Sequence, residues 1–336
     1  MSWQPPSHWR SLVVIESHTG GEPFRVVVDG LPEIPGETVL ERRRHAEQNL
    51  DGLRKALMWE PRGHADMYGG WIGPPTTPEG DLSVLFLHND GFSTMCGHGI
   101  IALAKVVLDT GILPREEPET TLSMDTPAGL VRSTSSFANG LVAKTRFQNV
   151  PSFVVELDAR VEVPRFGEVV YDLAFGGAFY AFVDAPTLGL PIDDATALIA
   201  AGRSIKKAIV ASRDIAHPSH PDLGFLYGVI FTGPADGIHS RHVCVFADGE
   251  VDRSPTGTGV SARLAILHER GEVASQEWIT LESIVGSRFR GRVVEVTSSV
   301  GTVAIVPEIE GSAHITGRAE LWIDPDDDLG QGFFLR

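Results

Sequence analysis

Short apolar runs separated by turn residues dominate this chain. Residues 12–15, 25–28, 82–87, 169–173, 243–246, 293–296 and 302–306 are rich in β-branched, aromatic and leucine side chains and read as strands. Only four stretches carry helical periodicity: 41–59, 99–110, 195–211 and 259–270. The mixture predicts an α+β fold with large, mainly antiparallel sheets and few helices.

One pattern recurs at half the length of the chain. Cys96-Gly97-His98-Gly99-Ile100-Ile101-Ala102 aligns with Thr256-Gly257-Thr258-Gly259-Val260-Ser261-Ala262, an offset of 160 residues. A strand-like run ends nine residues before each start, at Leu87 and Ala247, and a glycine follows 15 residues after each, Gly111 and Gly271. Glycine in that position is a helix C-terminal cap. Ile100, Leu103, Ala104, Val107 and Leu108 keep helical spacing while Ile101, Ala102 and Val106 fill the other faces. A helix apolar nearly all round is a buried one. The expectation is two similar halves, each a sheet around one buried helix, with both helices starting at the interface between the halves.

Composition narrows the function. The 336 residues include 28 basic and 44 acidic side chains, a net charge of -16, which repels nucleic acid and anionic lipid. No apolar run approaches the ~20 residues that span a bilayer. The N-terminus lacks a basic segment followed by an apolar one, so a cytoplasmic location is expected. Two cysteines cannot build a disulfide framework in a chain this long.

The two Gly-rich turns carry the candidate chemistry. A helix N-terminus presents unpaired N–H groups and a positive dipole end, and two such ends facing each other would cradle a small anion. Gly97, Gly99, Gly257 and Gly259 would let the backbone approach a ligand closely. Cys96 at one of these ends reads as a base or nucleophile, its pKa expected below the usual ~8.5. Cys244, inside a strand-like run, reads as apolar filler. His239, His242 and Cys244 match no zinc spacing, and no metal is expected. No phosphate-binding loop, nucleophile elbow or dinucleotide fingerprint is present. His98 and Asp252 flank the turns and are expected to hold a substrate ammonium or orient a proton; the alternative is that each only caps its own turn.

With these residues the sequence resembles the proline racemase family. The match rests on Ser17-His18-Thr19-Gly20-Gly21-Glu22-Pro23, Pro61-Arg62-Gly63-His64-Ala65-Asp66-Met67, Met95-Cys96-Gly97-His98-Gly99, Phe175-Gly176-Gly177-Ala178-Phe179-Tyr180 and Asp252-Arg253-Ser254-Pro255-Thr256-Gly257-Thr258-Gly259. The resemblance implies a diaminopimelate-epimerase-like fold of two pseudo-symmetric halves, expected at 11–150 plus 315–336 and at 151–314. Racemases and epimerases of the family carry a cysteine in both turns; here Thr256 stands in the second place. A threonine hydroxyl is too weak an acid for the proton traffic of two thiols. The Cys/Thr pair resembles family members that eliminate water from trans-3-hydroxy-L-proline. Carried over by position, Cys96 would be the base opposite Thr256, and Gly97, His98, Asp252, Gly257 and Thr258 would bind the substrate's carboxylate and ring nitrogen. No cofactor is implied, the partner is a small imino acid, and the assembly is left open between monomer and homodimer.

Stereochemistry points the same way. In trans-3-hydroxy-L-proline the C2 hydrogen and the C3 hydroxyl share one ring face. One thiolate could take the proton and return it to the departing hydroxide, and the product would tautomerise to 1-pyrroline-2-carboxylate. Two rivals remain: a proline racemase or 4-hydroxyproline 2-epimerase using Thr256 or a water, and an imino-acid binder without turnover.

Overall fold

The structure, a computed structural model, describes residues 3–299 and 301–335. The N-terminal repeat runs β1 (Arg10–Thr19), β2 (Glu22–Asp29), α1 (Val39–Asn49), α2 (Asp51–Met58), β3 (Tyr68–Gly73), β4 (Leu82–His88), β5 (Phe92–Ser93), α3 (Gly97–Asp109), β6 (Glu119–Thr126), β7 (Gly129–Ala138) and β8 (Leu141–Gln148). The C-terminal repeat runs β9 (Phe153–Val163), β10 (Gly167–Phe175), β11 (Phe179–Asp184), α4 (Ala195–Ser212), β12 (Leu226–Gly233), β13 (Ser240–Phe246), β14 (Glu250–Val251), α5 (Gly257–Glu269), β15 (Ile279–Glu282), β16 (Arg288–Ser299), β17 (Thr302–Gly311) and β18 (Ala313–Ile323). The strands from β2 to β8 match those from β11 to β17 in order, with α3 matching α5 and the α1–α2 pair standing where the second series has α4. Most pairings are antiparallel; β2 with β3 and β4 with β6 are parallel, and so are their counterparts β11 with β12 and β13 with β15.

The strands that follow β8 and β17 each join the sheet of the other repeat. β9 follows β8 but pairs with β10, and β18 follows β17 but pairs with β1. Between the crossings β8 and β17 pair antiparallel, with Gln148 opposite Glu308. These two residues are 160 apart, so the local symmetry axis passes between them.

The repeated helices are the centre of the fold. α3 buries twelve of its thirteen residues and α5 ten, and each packs against the strands of its own repeat and against β17. A continuous apolar cluster joins Ile100, Leu103 and Val107 to Val260, Leu264 and Leu267. Both helices stop at glycines with positive φ, Gly111 at +74° and Gly271 at +72°, as the helix-cap reading requires.

The single helix expected over 41–59 is two helices. Thr38 and Glu41 form a capping box at the first turn. The chain then breaks at Leu50, where φ is -125° and ψ 11°. Asn49, Asp51 and Gly52 surround the break, and all three favour turns over helix interiors. α1 and α2 cover a second, smaller apolar cluster built on Leu12, Val14, Trp71, Leu85 and Leu87.

Candidate active site

The two helix N-termini meet almost backbone to backbone. A Cβ added to Gly97 would lie 2.5 Å from the Gly257 Cα, and one added to Gly257 would lie 2.7 Å from the Gly97 Cα. Only glycine at both positions permits this approach. Beside the contact lies a small, nearly filled cavity of about 10 Å³, lined from both repeats by Cys96, Gly97, His98, Asp252, Thr256, Gly257 and Thr258. The seven residues expected to act on or bind the substrate therefore converge, whereas Gly99 and Gly259, expected to approach the ligand, do not line the cavity. A larger cleft, with His18, Lys144, Arg288 and Arg290 on its walls, opens elsewhere and contains none of them.

The two turns are alike in sequence and unlike in conformation. Cys96 is the N-cap of α3 with φ -142°, and its Sγ accepts a hydrogen bond from the Gly99 N–H at 3.2 Å. Thr256 occupies the matching place with φ +65°, and its side chain does not cap α5. A positive φ in a β-branched residue is a costly outlier, of order 1–3 kcal/mol, and such strain collects at functional sites. The first helix end is thus committed to the sulfur, whereas the second keeps its N–H groups clear of a capping side chain.

His98 lies 3.3 Å from the Cys96 Sγ through Nδ1 and is held edge-on by Phe24 and Tyr68. Burial lowers the imidazole's pKa, with Asp252 opposing, so His98 is neutral near pH 7. For Cys96 the expected lowering is overturned. Burial pushes its thiol well above the ordinary value; the Gly99 N–H pulls down, and the Asp252 and Glu22 carboxylates push up again. One helix end does not outweigh full desolvation beside two acids.

Asp252 takes the Ser254 N–H at 2.7 Å, which folds the loop that leads into Thr256. Thr258 Oγ1 is 2.6 Å from the Tyr180 hydroxyl. Gly176, in the motif that ends at Tyr180, lies against the first turn of α5, where a Cβ would be 2.3 Å from the Thr258 carbonyl oxygen.

Sequence reading missed the aromatic wall. Tyr68, Tyr180, Tyr227 and Phe246 also line the cavity, and the Tyr68 and Tyr227 hydroxyls are 3.1 Å apart. Tyr180 sat inside a quoted motif and Tyr68 directly after one, which was the available signal. Cys244 is fully buried, as expected of filler, yet it too lines the cavity. Among the described residues, no three His, Cys, Asp or Glu side chains are grouped to hold a metal. None of the described helices is long and apolar enough to cross a membrane.

The sequence model of the proline racemase family matches residues 14–334. A trans-3-hydroxy-L-proline dehydratase of Colwellia psychrerythraea is 44% identical over 99% of this chain and 96% of its own length. A 3-hydroxyproline 2-epimerase of Burkholderia multivorans is also 44% identical, over 97% of this chain and 99% of its own. The crystal structure of a hydroxyproline epimerase from Agrobacterium vitis with bound trans-4-hydroxy-L-proline superposes with a TM-score of 0.94 at 33% identity, covering 98% of this chain and 96% of that one. The fold is α+β and diaminopimelate-epimerase-like.

Proposed function

The chain belongs to the proline racemase family, and from that premise we propose how its two unequal turns divide the work of one reaction. It is a hydro-lyase that removes water from trans-3-hydroxy-L-proline, the activity several of its full-length relatives are named for. Its halves are 11–150 with 315–336 and 151–314. The substrate carboxylate sits against the N–H groups of Gly97, Gly257 and Thr258, where negative charge is favoured. Asp252 and His98 hold the ring nitrogen. Cys96, as thiolate, takes the C2 proton; the electron pair forms the C2–C3 double bond and expels hydroxide from C3. The same sulfur returns its proton to the hydroxide, and water leaves. Charge that builds on the carboxylate during proton removal falls on the turn N–H groups. The enamine tautomerises to 1-pyrroline-2-carboxylate.

The observation that carries this reading is the inequality of Cys96 and Thr256. One helix end holds a thiol in hydrogen-bonded register; the other offers a hydroxyl, set aside by a positive φ. A single competent acid–base group suits an elimination on one ring face. Positioned acid–base groups contribute about 10²–10⁴-fold, so Cys96→Ser is expected to lose at least that much turnover while keeping the parent's circular dichroism. The assay follows loss of trans-3-hydroxy-L-proline and appearance of the cyclic imine. Turnover within a few-fold of the parent in a folded Cys96→Ser protein would remove Cys96 from the base role.

A second reading, 2-epimerisation, is favoured by one feature: the Cys244 thiol also lines the cavity, next to the Thr256 side chain. Chiral analysis of the recovered substrate separates the two. The D-epimer as the main product would replace the dehydratase reading.

A further inference from the structure

Three parts of the family motifs have no task in the reaction above: Glu22 of the first, Asp66 of the second and Arg253 of the last. In the fold they meet. The β1–β2 hairpin turns through Gly20 and Gly21, with φ +61° and +92°, a two-residue turn that only glycine-like conformations allow. A Cβ on Gly20 would lie 2.8 Å from Ser287 Oγ and 3.4 Å from Ser254 Cβ, so the tip of this N-terminal hairpin rests on the C-terminal repeat. Glu22, at the start of β2 and wholly buried, accepts the Arg253 backbone N–H at 2.7 Å; the Arg253 guanidinium is 3.6 Å from the same oxygen. The guanidinium also donates to the Asp66 carboxylate and to the Asp66 carbonyl oxygen, both at 3.1 Å. Asp66 further accepts the Val251 N–H at 3.4 Å.

We propose that Arg253 is a positioning residue: it clasps Glu22 and Asp66 across the two repeats, and the clasp sets Asp252 and the Thr256 turn against the Cys96 helix. Asp252 is its neighbour in the chain and Thr256 lies three residues on, so anything that frees Arg253 frees one wall of the cavity. A planar guanidinium can serve two carboxyl groups at once, which a lysine ammonium on a different stem does not reproduce. The charge is needed as well. Burial and the adjacent Asp252 both raise the Glu22 pKa, and Arg253 is the cation that opposes them. The inference rests on the assignment of Asp252 to the substrate, and its test has an arm that does not need turnover.

The variants are Arg253→Lys and the pair Glu22→Gln with Arg253→Met, neutral with respect to Glu22, which removes one of the two buried acids together with the guanidinium they share. Two quantities are measured: kcat and KM on trans-3-hydroxy-L-proline, and the rate at which iodoacetamide alkylates Cys96 in the substrate-free protein, read by peptide mass. A loosened wall should raise KM about tenfold to a hundredfold with kcat changed far less, because misplacement of a binding group is felt at that scale. Cys96 alkylation should quicken by a similar factor in Arg253→Lys, which keeps the charges around the thiol; in the neutral pair KM is the deciding quantity, because loss of the Glu22 carboxylate by itself eases ionisation of the thiol. A role in stability alone would lower the melting temperature and leave KM and alkylation of the folded protein at parental values; a parental KM in the neutral pair, or both parental values in a folded Arg253→Lys, overturns the proposal. If the dehydration reading itself fails, the alkylation rate of Arg253→Lys still decides.

Discussion

Cys96 and Thr256 occupy equivalent places and differ in nearly everything that matters for proton transfer. The thiol receives a backbone N–H, but it is buried beside Asp252 and Glu22, which moves its pKa up. A raised pKa means that the resting group is a thiol near neutral pH and that the thiolate fraction grows as pH rises. The predicted kcat/KM therefore climbs with pH through and beyond the ordinary thiol value of about 8.5. A plateau already reached below pH 7 would mean that the helix end dominates after all. His98 does not alter the sign: it is held neutral, so it gives the sulfur a hydrogen-bonding neighbour rather than a fixed positive charge. The direction of the Cys96 shift was out of reach of the sequence. Gly97 and Gly99 announced a helix end, but the burial and the two acids that outweigh it come from distant segments.

At the scale of the element, the glycines of the repeat do different jobs, and substitution separates them. Gly97 meets Gly257 at a distance no Cβ tolerates, and overpacking of that kind costs about 1–3 kcal/mol. Gly111 and Gly271 have nothing within 4 Å of an added Cβ; they answer only to their positive φ, where an alanine costs roughly 1–2 kcal/mol. Gly97→Ala is expected to lose both stability and most activity, since the displaced helix end is the cradle itself. Gly111→Ala should lose stability by urea denaturation and keep the activity of each folded molecule. Equal activity losses in the two would show that the helix contact is not part of the site. These glycines were readable because a cap and a close approach are demands of the local backbone. The break at Leu50 was not, since the apolar spacing of 41–59 runs through it and only three weak helix formers mark the place.

For the whole molecule, the repeat at 160 residues was the most informative feature of the sequence, and residues of both halves line the cavity. What the periodicity did not contain was the long-range pairing. β9 and β18 cross between the repeats, and β8 and β17 join at Gln148 and Glu308, choices made by tertiary packing. The aromatic wall of Tyr68, Tyr180 and Tyr227 was hidden for the same reason: the three come from three strands and share no local spacing.

The central claim is that one thiol, on one face of the ring, performs the whole elimination. The most direct measurement compares kcat/KM for trans-3-hydroxy-L-proline and cis-3-hydroxy-L-proline in the unmodified protein. In the trans compound the C2 hydrogen and the hydroxyl share the face that Cys96 addresses. In the cis compound the hydroxyl points to the opposite face, where Cys96 cannot return the proton to it. Loss of an acid–base group's contribution is worth about 10²–10⁴-fold, and a preference of that size for the trans isomer is predicted. Equal rates on the two isomers would contradict the single-face mechanism.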